Sequence, residues 1–430
     1  MLSTVLVVIL LLLAITLASG LWIGVSLFYV GAASLLSFTS LPVERILGSV
    51  IWNNASSSTL MALPLFILMG ELLVKTRLSE DLFDGLTPWL GRLPGGLLHV
   101  NVVACALFAA ITGSVNATTA TVGKITIPEF EKRGYSDSLS IGSLTASGTL
   151  GILIPPSMPM LIYGVVAQAS IGKLFIAGLV PGLGLMFFFS LYIAVMSLLD
   201  RKATGAEALR FTWEERFRSL PKILPVAILI AFVLGSIYTG WATPTEAAAI
   251  GVLGATVLAV LTGCLTVPIF RDCVMGTVRT NCMIMLILIG ASFFSVALGF
   301  LGLPKYISES IIALGAGKYT VMALITVVYL FLGCLIDGYS MIVMTVPIFL
   351  PLVTALGLDP IWFGIFVVIL VQIANITPPI GFNLFLVTGI CRHKIGFISK
   401  SVMPFIAMMI VFAFLMTVFP QIVLFLPNMM

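Results

Sequence analysis

Apolar stretches follow one another from one end of the chain to the other, with little polar sequence between them. They fall at 2–19, 21–39, 58–75, 97–113, 115–130, 137–170, 173–199, 222–239, 245–263, 281–300, 319–336, 340–356, 360–391 and 396–426. A run of about 18 or more apolar residues is long enough to cross a bilayer as a helix, and most of these runs do not alternate as barrel strands do. The expectation is an all-α polytopic membrane protein, because a helix satisfies its own backbone polar groups in lipid. The first stretch, Leu2 to Ala18, has no basic leader before it and no Ala-x-Ala site after it. It reads as a retained span rather than a cleaved signal. Two pieces, 78–92 and 205–220, mix charges with aromatics. They predict helices lying in the interface, the second serving as a linker between two halves.

Two of the apolar runs carry a Pro-Pro pair in their middle: GILIPPSMPMLIYG at 151–164 and ANITPPIGFNLFLVTG at 374–389. Proline removes a backbone donor and clashes with the preceding turn, so each run predicts a broken helix. The pairs Pro155-Pro156 and Pro378-Pro379 are 223 residues apart, and the same spacing relates Pro128 to Pro351 and Pro181 to Pro404. LFILMG at 65–70 resembles MLILIG at 285–290. These landmarks predict two structural repeats. The first is 58–200, with a hairpin at 97–130 and a broken helix at 137–170; the second is 281–430, with a hairpin at 319–356 and a broken helix at 360–391. Residues 1–57 would be N-terminal scaffold spans and 201–280 a connecting scaffold region. Gly113-Ser114 and Asp337-Gly338 are too short to emerge as loops between full spans, so the hairpins are expected to be re-entrant.

Composition narrows the class. The chain is 60% hydrophobic and 9% charged, with mean hydropathy +1.20, which excludes a soluble globular protein and makes lipid, not nucleic acid, its surroundings. The six cysteines form no CxxC pair, and the two histidines, His99 and His393, lie far apart. No transition-metal site, disulfide framework or phosphate loop is indicated. The placement of basic residues orients the chain through the positive-inside rule. With the 200–222 loop cytoplasmic and both hairpins re-entrant, 16 of the 21 basic residues fall on the cytoplasmic side. Only Arg45, Lys124, Lys173, Lys305 and Lys318 fall elsewhere. That trace puts both termini on the periplasmic side and opens the hairpins to opposite sides, so the repeats are expected to be inverted.

Inverted repeats with interrupted helices point to secondary transport, with ion and substrate sites at the breaks. A break frees carbonyls at the end of one half-helix and N–H groups at the start of the next. Free carbonyls suit a hard cation such as sodium, and helix starts suit a carboxylate. Four places qualify. The first hairpin turns at Thr112-Gly113-Ser114-Val115-Asn116-Ala117-Thr118-Thr119, rich in small oxygen-bearing side chains. The first broken span turns at Ile154-Pro155-Pro156-Ser157. The second hairpin turns at Asp337-Gly338-Tyr339-Ser340, and the second broken span at Asn375-Ile376-Thr377-Pro378-Pro379. Each tip is expected to face its own break. Asp337 reads equally as an ion ligand and as the N-cap of the second hairpin arm. Lys124 reads as snorkelling or paired with an acid before it reads as a contact for an anionic substrate, Glu71 as part of a helix contact, and Thr243-Pro244-Thr245-Glu246 as a capping box. An enzyme is not expected, because Asp337 has no matched second acid and no serine has a plausible base.

The stretches ITGSVNATTATVGKITIPEFEKRGY, GILIPPSMPMLIYG, LFIAGLVPG, TPTEAAAIG, IDGYSMIVMTVPIFLPL, ITPPIGFNLFLV and FPQIVLFLPN together resemble the large membrane subunit of the TRAP (tripartite ATP-independent periplasmic) transporters. The resemblance covers essentially the whole chain. It implies an elevator-type permease of the bacterial inner membrane, in which a transport domain of two hairpins and two broken helices moves against a scaffold. It further implies sodium as coupling ion, with no other cofactor. Sodium would bind at Gly113, Ser114 and Asn116 with Pro155, Pro156 and Ser157, and at Asp337, Gly338 and Ser340 with Thr377, Pro378 and Pro379. Substrate would lie between the tips, near Thr112, Ser114, Asn116, Thr118, Ser340 and Asn375. The implied substrate is an organic anion, a carboxylate handed over by a periplasmic binding protein. The implied partner in the membrane is a small four-helix subunit, expected as a separate polypeptide because the chain begins directly with the large subunit. The competing expectation is a stand-alone sodium/dicarboxylate-type symporter.

Overall fold

Nearly every apolar stretch becomes a helix, and no strand is found among the described residues of this computed structural model, which are 2–200, 211–313, 315, 317–378 and 381–429. The chain opens with α1 (Leu2–Ala18) and α2 (Ile23–Phe38). α3 (Val43–Ala55) then meets α4 (Ala62–Val74) across a short 3-10 turn, at a bend of 50°. α5 (Leu78–Leu90) precedes the first hairpin, whose arms are α6 (Leu97–Thr112) and α7 (Val115–Lys132). The first broken helix is α8 (Asp137–Ser147), a 3-10 turn at Gly148–Ile152 and α9 (Met158–Val166), followed by α10 (Ile171–Leu199). α11 (Trp213–Tyr238) and α12 (Pro244–Leu261) connect the halves. α13 (Val267–Phe300) and α14 (Leu303–Ala313) lead into the second hairpin, α15 (Lys318–Gly333) and α16 (Gly338–Ala355). The second broken helix is α17 (Pro360–Ala374) with α18 (Phe382–Ile390), and α19 (Ile395–Val418) and α20 (Gln421–Leu424) close the chain.

Six of these helices are long and apolar enough to cross a membrane, or seven if the bent pair α3–α4 is one span. The half-helices α8, α9 and α18, at 11, 9 and 9 residues, are far short of the ~20 a span requires. Their ends must therefore meet protein or water at depth.

The structure departs from the pattern-based expectation in several places. Residues 205–210 lie outside the described residues, but the remainder of that polar piece is not a separate interfacial helix. It is the first part of α11, which runs on through Pro221 and Pro225. A capping box between Thr212 and Glu215 starts this helix, and α5 braces it where the prolines remove backbone bonds. The Lys222 ammonium meets the Asp84 carboxylate at 2.8 Å, and the Trp89 indole donates to the Ser219 hydroxyl at 3.1 Å. α13 starts well before the apolar run at 281–300 and reaches 34 residues, because its polar first half packs on α4. The run 396–426 is not one helix: it breaks at Phe419-Pro420. α3 and α14 are amphipathic helices that the apolar pattern did not announce. The capping box at Thr243 and Glu246 is formed, with Glu246 accepting from the Thr243 backbone and hydroxyl at 2.8 Å each.

The helix orders α4 to α10 and α13 to α19 correspond element by element. In each half the first hairpin arm packs on the first part of the same half's broken helix, α6 on α8 and α15 on α17. The second arm crosses over, α7 packing on α18 and α16 on α9. The flanking helices are exchanged as well, with α8 on α19 and α17 on α10. α17 lies at the centre, and every residue from Trp362 to Ala374 is buried. Its N-terminal end is tied to other elements twice: the Trp362 indole donates to the Met416 carbonyl at 3.1 Å, and the buried Tyr163 hydroxyl of α9 donates to the Pro360 carbonyl at 2.6 Å. Removing that hydroxyl by Tyr163→Phe leaves a partly buried acceptor with one partner fewer, at a cost of about 1–2 kcal/mol. The expected readout is a lower melting temperature of the detergent-solubilised protein; an unchanged one would show that the bond adds nothing to stability.

Candidate functional site: two hairpin tips and two helix breaks

The first tip turns in two residues. Gly113 takes the left-handed conformation, φ +58°, and its N–H closes on the Ala109 carbonyl at 2.8 Å, ending α6. Glycine carries no Cβ penalty there. Ser114 then caps α7, its hydroxyl accepting from the Ala117 N–H at 3.4 Å. Thr112 and Thr118 join hydroxyl to hydroxyl at 3.0 Å across the turn, both buried. Asn116 is exposed on the first turn of α7.

The tip lies against the first break. A Cβ added to Gly113 would stand 2.9 Å from the Pro156 carbonyl oxygen. That carbonyl belongs to the Pro155-Pro156 pair, which carries a cis peptide bond. Ser157 is fully buried, accepts from the Met160 N–H to cap α9, and donates to the Ile152 carbonyl. The stretch GLVPG is used here: Gly178 and Gly182 let α10 close onto Leu153 and Ile154 of the break.

The second tip is built around Asp337. One carboxylate oxygen accepts from the Tyr339 and Ser340 N–H groups at 3.0 and 3.3 Å, and the other accepts from the Ser340 hydroxyl at 2.6 Å. Asp337 is thus the N-cap of α16, while Ser340 is buried beneath it. This tip lies against the second break: a Cβ on Gly338 would meet Val371 at 2.5 Å and the Asn375 amide at 3.3 Å. The Cys334 thiol points to the Pro378 carbonyl at 3.7 Å. Asn375 ends α17 with its amide on the Val371 carbonyl at 3.0 Å, and Thr377 donates to the Ile373 carbonyl at 2.7 Å. Pro379 lies outside the described residues.

Both tips and both breaks line one cavity of about 260 Å³. Ser114, Val115 and Asn116 come from the start of α7, Pro159 from the start of α9, Asp337, Gly338 and Tyr339 from the start of α16, and Phe382 from the start of α18. Asn375 and Val371 complete it from the end of α17, and Met283 from α13. Four helix N-termini therefore converge on one cavity, each bringing a partial positive charge, while Ser114, Ser157 and Asp337 cap first-turn N–H groups of three of them. Asp337 is the one carboxylate in that lining, and no lining residue is basic. Of the residues singled out in sequence, Ser114, Asn116, Asp337, Gly338 and Asn375 line this cavity. Thr112 lines a neighbouring one. Thr118, Ser157 and Ser340 are packed behind the tips and breaks. Lys124 is exposed on α7. A larger cavity of about 560 Å³ lies between α3, α13 and the α9–α10 turn, and contains no residue of either tip or break.

Sequence reasoning passed over Asn383. It is buried on the first turn of α18, donates to the Thr145 carbonyl of α8 at 2.9 Å, and its own oxygen has no hydrogen-bond partner. Thr119, whose buried hydroxyl is also unpartnered, packs on Gly148 of the same region. The only signal for Asn383 is its place four residues after the second Pro-Pro pair, in GFNLF.

A family model described as the DctM component of the tripartite ATP-independent periplasmic transporters matches residues 9–422. The chain is 33% identical over 408 residues to the C4-dicarboxylate TRAP transporter large permease protein DctM of Pseudomonas aeruginosa, covering 93% of this chain and 92% of that one. To the sialic acid TRAP transporter large permease protein SiaM of Vibrio cholerae it is 31% identical over 417 residues, 96% of each chain. It is 34% identical over 424 residues to the isethionate TRAP transporter permease protein DctMQ of Oleidesulfovibrio alaskensis; this takes in 96% of the chain but 65% of that protein, just under two thirds of its length. Among solved structures, the YdaH transporter of Alcanivorax borkumensis shares the fold, with TM-score 0.69 at 14% identity over 93% of this chain and 97% of that one.

Proposed function

Because the chain belongs to the DctM-component family of tripartite ATP-independent periplasmic transporters, we propose that it is the large permease subunit of a sodium-coupled importer of an organic anion. The observation that carries this reading is the convergence of four helix starts on the cavity between the tips. Such a site favours negative charge and can take a carboxylate without a basic side chain. Asp337 opposes an anion at the same cavity, and a cation bound beside it removes that opposition. This gives a physical reason for coupling: the anion binds well only when sodium is present.

The sodium ligands would be oxygens of each tip and its facing break. On one side these are Gly113, Ser114 and Asn116 with Pro155, Pro156 and Ser157, and on the other Asp337, Gly338 and Ser340 with Thr377 and the Pro-Pro pair after it. A sodium ion takes such carbonyl, hydroxyl and carboxylate oxygens readily. Three relatives are named for C4-dicarboxylates, sialic acid and isethionate, all acids, which supports an acid as the solute class, while a fourth is named for ectoine. A small membrane subunit and a periplasmic binding protein would complete the transporter in the inner membrane, with both termini of this chain periplasmic. The paired halves would be inverted repeats, and the tips and breaks would travel together as an elevator.

The test is uptake of radiolabelled acids into proteoliposomes containing this chain, with and without its two partners. Uptake is expected to need an inward sodium gradient and both partners, and to be negligible, below about 1% of the full rate, when either is left out. Uptake by this chain alone would overturn the tripartite part of the reading, and uptake indifferent to sodium would overturn the coupling.

A further inference from the structure

A second, smaller cavity of about 90 Å³ lies beside the first and shares Ser114 and Tyr339 with it. Its other wall is formed by α4 and α13, with Gly70, Glu71, Thr280 and Ile284. The Glu71 carboxylate lies flat over Gly276, one turn before Thr280 on α13: its three carboxyl atoms stand 3.2–3.4 Å from where a Cβ would be. Any larger residue at 276 would push the carboxylate off this face. The backbone of Glu71 is held from the same helix, the Cys273 thiol donating to its carbonyl at 3.5 Å.

Glu71 is half-buried and, among the described residues, belongs to none of the four ion pairs. Lys75, one turn further along, is exposed. The Lys75 ammonium acts on it only from beyond ion-pair distance, so this half-buried carboxylate gains from a further charge of opposite sign. The cavity wall offers what a hard cation needs: that carboxylate, the hydroxyls of Thr112 and Ser114 from the first tip, Tyr339 from the second, and Thr280 from α13. Its volume holds a cation with two or three waters, each occupying about 30 Å³ in the liquid.

We propose that this cavity is a monovalent-cation site, formed jointly by Glu71 and Thr280 on one wall and by the two hairpin tips on the other. It differs from the tip–break positions in using Glu71 and Thr280, while sharing Ser114 with the first of them, and it exists only while the tips rest against α4 and α13. A cation bound there fastens the tips in this position, and leaves or is lost when they move away. The choice of sodium as the ion rests on the sodium-coupled reading given above; the site itself rests on the cavity and the unpaired carboxylate.

The experiment is equilibrium binding of radioactive sodium to the purified full chain, together with its melting temperature as sodium chloride replaces choline chloride at constant ionic strength. Glu71→Gln is expected to raise the sodium concentration for half-maximal stabilisation by about tenfold or more and to reduce bound sodium at a fixed subsaturating concentration. Thr280→Val should move both in the same direction by less. Should Glu71→Gln fail to fold in choline, Thr280→Val decides. If both folded variants follow the wild-type curves, the site is refuted while sodium coupling stands. If the wild type itself neither binds sodium nor is stabilised by it, sodium coupling fails and this site with it.

Discussion

Asp337→Asn is expected to fold normally and to lose sodium-driven uptake by about a hundredfold or more, the scale set by losing charge-assisted contacts worth ~1.5–3 kcal/mol each. The two consequences separate because asparagine is as good an N-cap as aspartate. It can still accept from the Tyr339 and Ser340 N–H groups at the start of α16. What it cannot supply is the negative charge at the cavity where four helix starts meet. Asp337→Ala removes cap and charge together and should add about 1–2 kcal/mol of lost stability to the same transport defect. Melting temperature and uptake measured on both variants test this. An asparagine variant that transports at the wild-type rate, with the wild-type sodium requirement, would make Asp337 a cap and nothing more.

Gly113→Ala should be the most damaging alanine substitution at either tip. Its φ of +58° is a conformation that costs a non-glycine residue about 1–2 kcal/mol. In addition, the new Cβ would stand 2.9 Å from the Pro156 carbonyl oxygen, so tip and break must separate. Backbone on both sides of that contact leaves no flexible side chain to yield. Gly357 is the control: its φ is +75°, and a Cβ there would meet nothing within 4 Å. Gly357→Ala should lower stability slightly and leave uptake intact. Gly113→Ala should in addition reduce uptake by at least about tenfold and weaken its dependence on sodium, ~1.4 kcal/mol or more at the site. Equal behaviour of the two variants would mean that the close approach of tip and break is unimportant.

How much of this could be read from the sequence follows from where the information sits. The hairpins and breaks are legible because their turns need particular residues locally: Gly113 for a left-handed cap, Ser114 and Asp337 for helix starts, and the Pro-Pro pairs for an interruption. The arms of the hairpins fall within a few residues of the apolar limits at 97–130 and 319–356. The facing of each tip to its own break followed from the repeat spacing, and the structure brings Gly113 to Pro156 and Gly338 to Asn375. Other features depend on tertiary partners and leave little local trace. α11 continues through two prolines because α5 braces it. α13 is extended by a polar first half that only makes sense once α4 is beside it. α3 and α14 are too short and too amphipathic to stand out against the surrounding spans. Asn383 and Glu71 look like ordinary helix residues in sequence; what marks them is an unpartnered oxygen in one case and a cavity with an unpaired carboxylate in the other. The crossing of each second hairpin arm to the other half's broken helix has no local signature at all.

That crossing bears on how the two halves hold together. The first half alone would leave the α7 face without α18 and α9 without α16; the second half alone would have the mirror-image deficits. Each half therefore completes its packing on the other, each lending a helix face to its neighbour, and a change in either hairpin arm is felt by the broken helix of the opposite half.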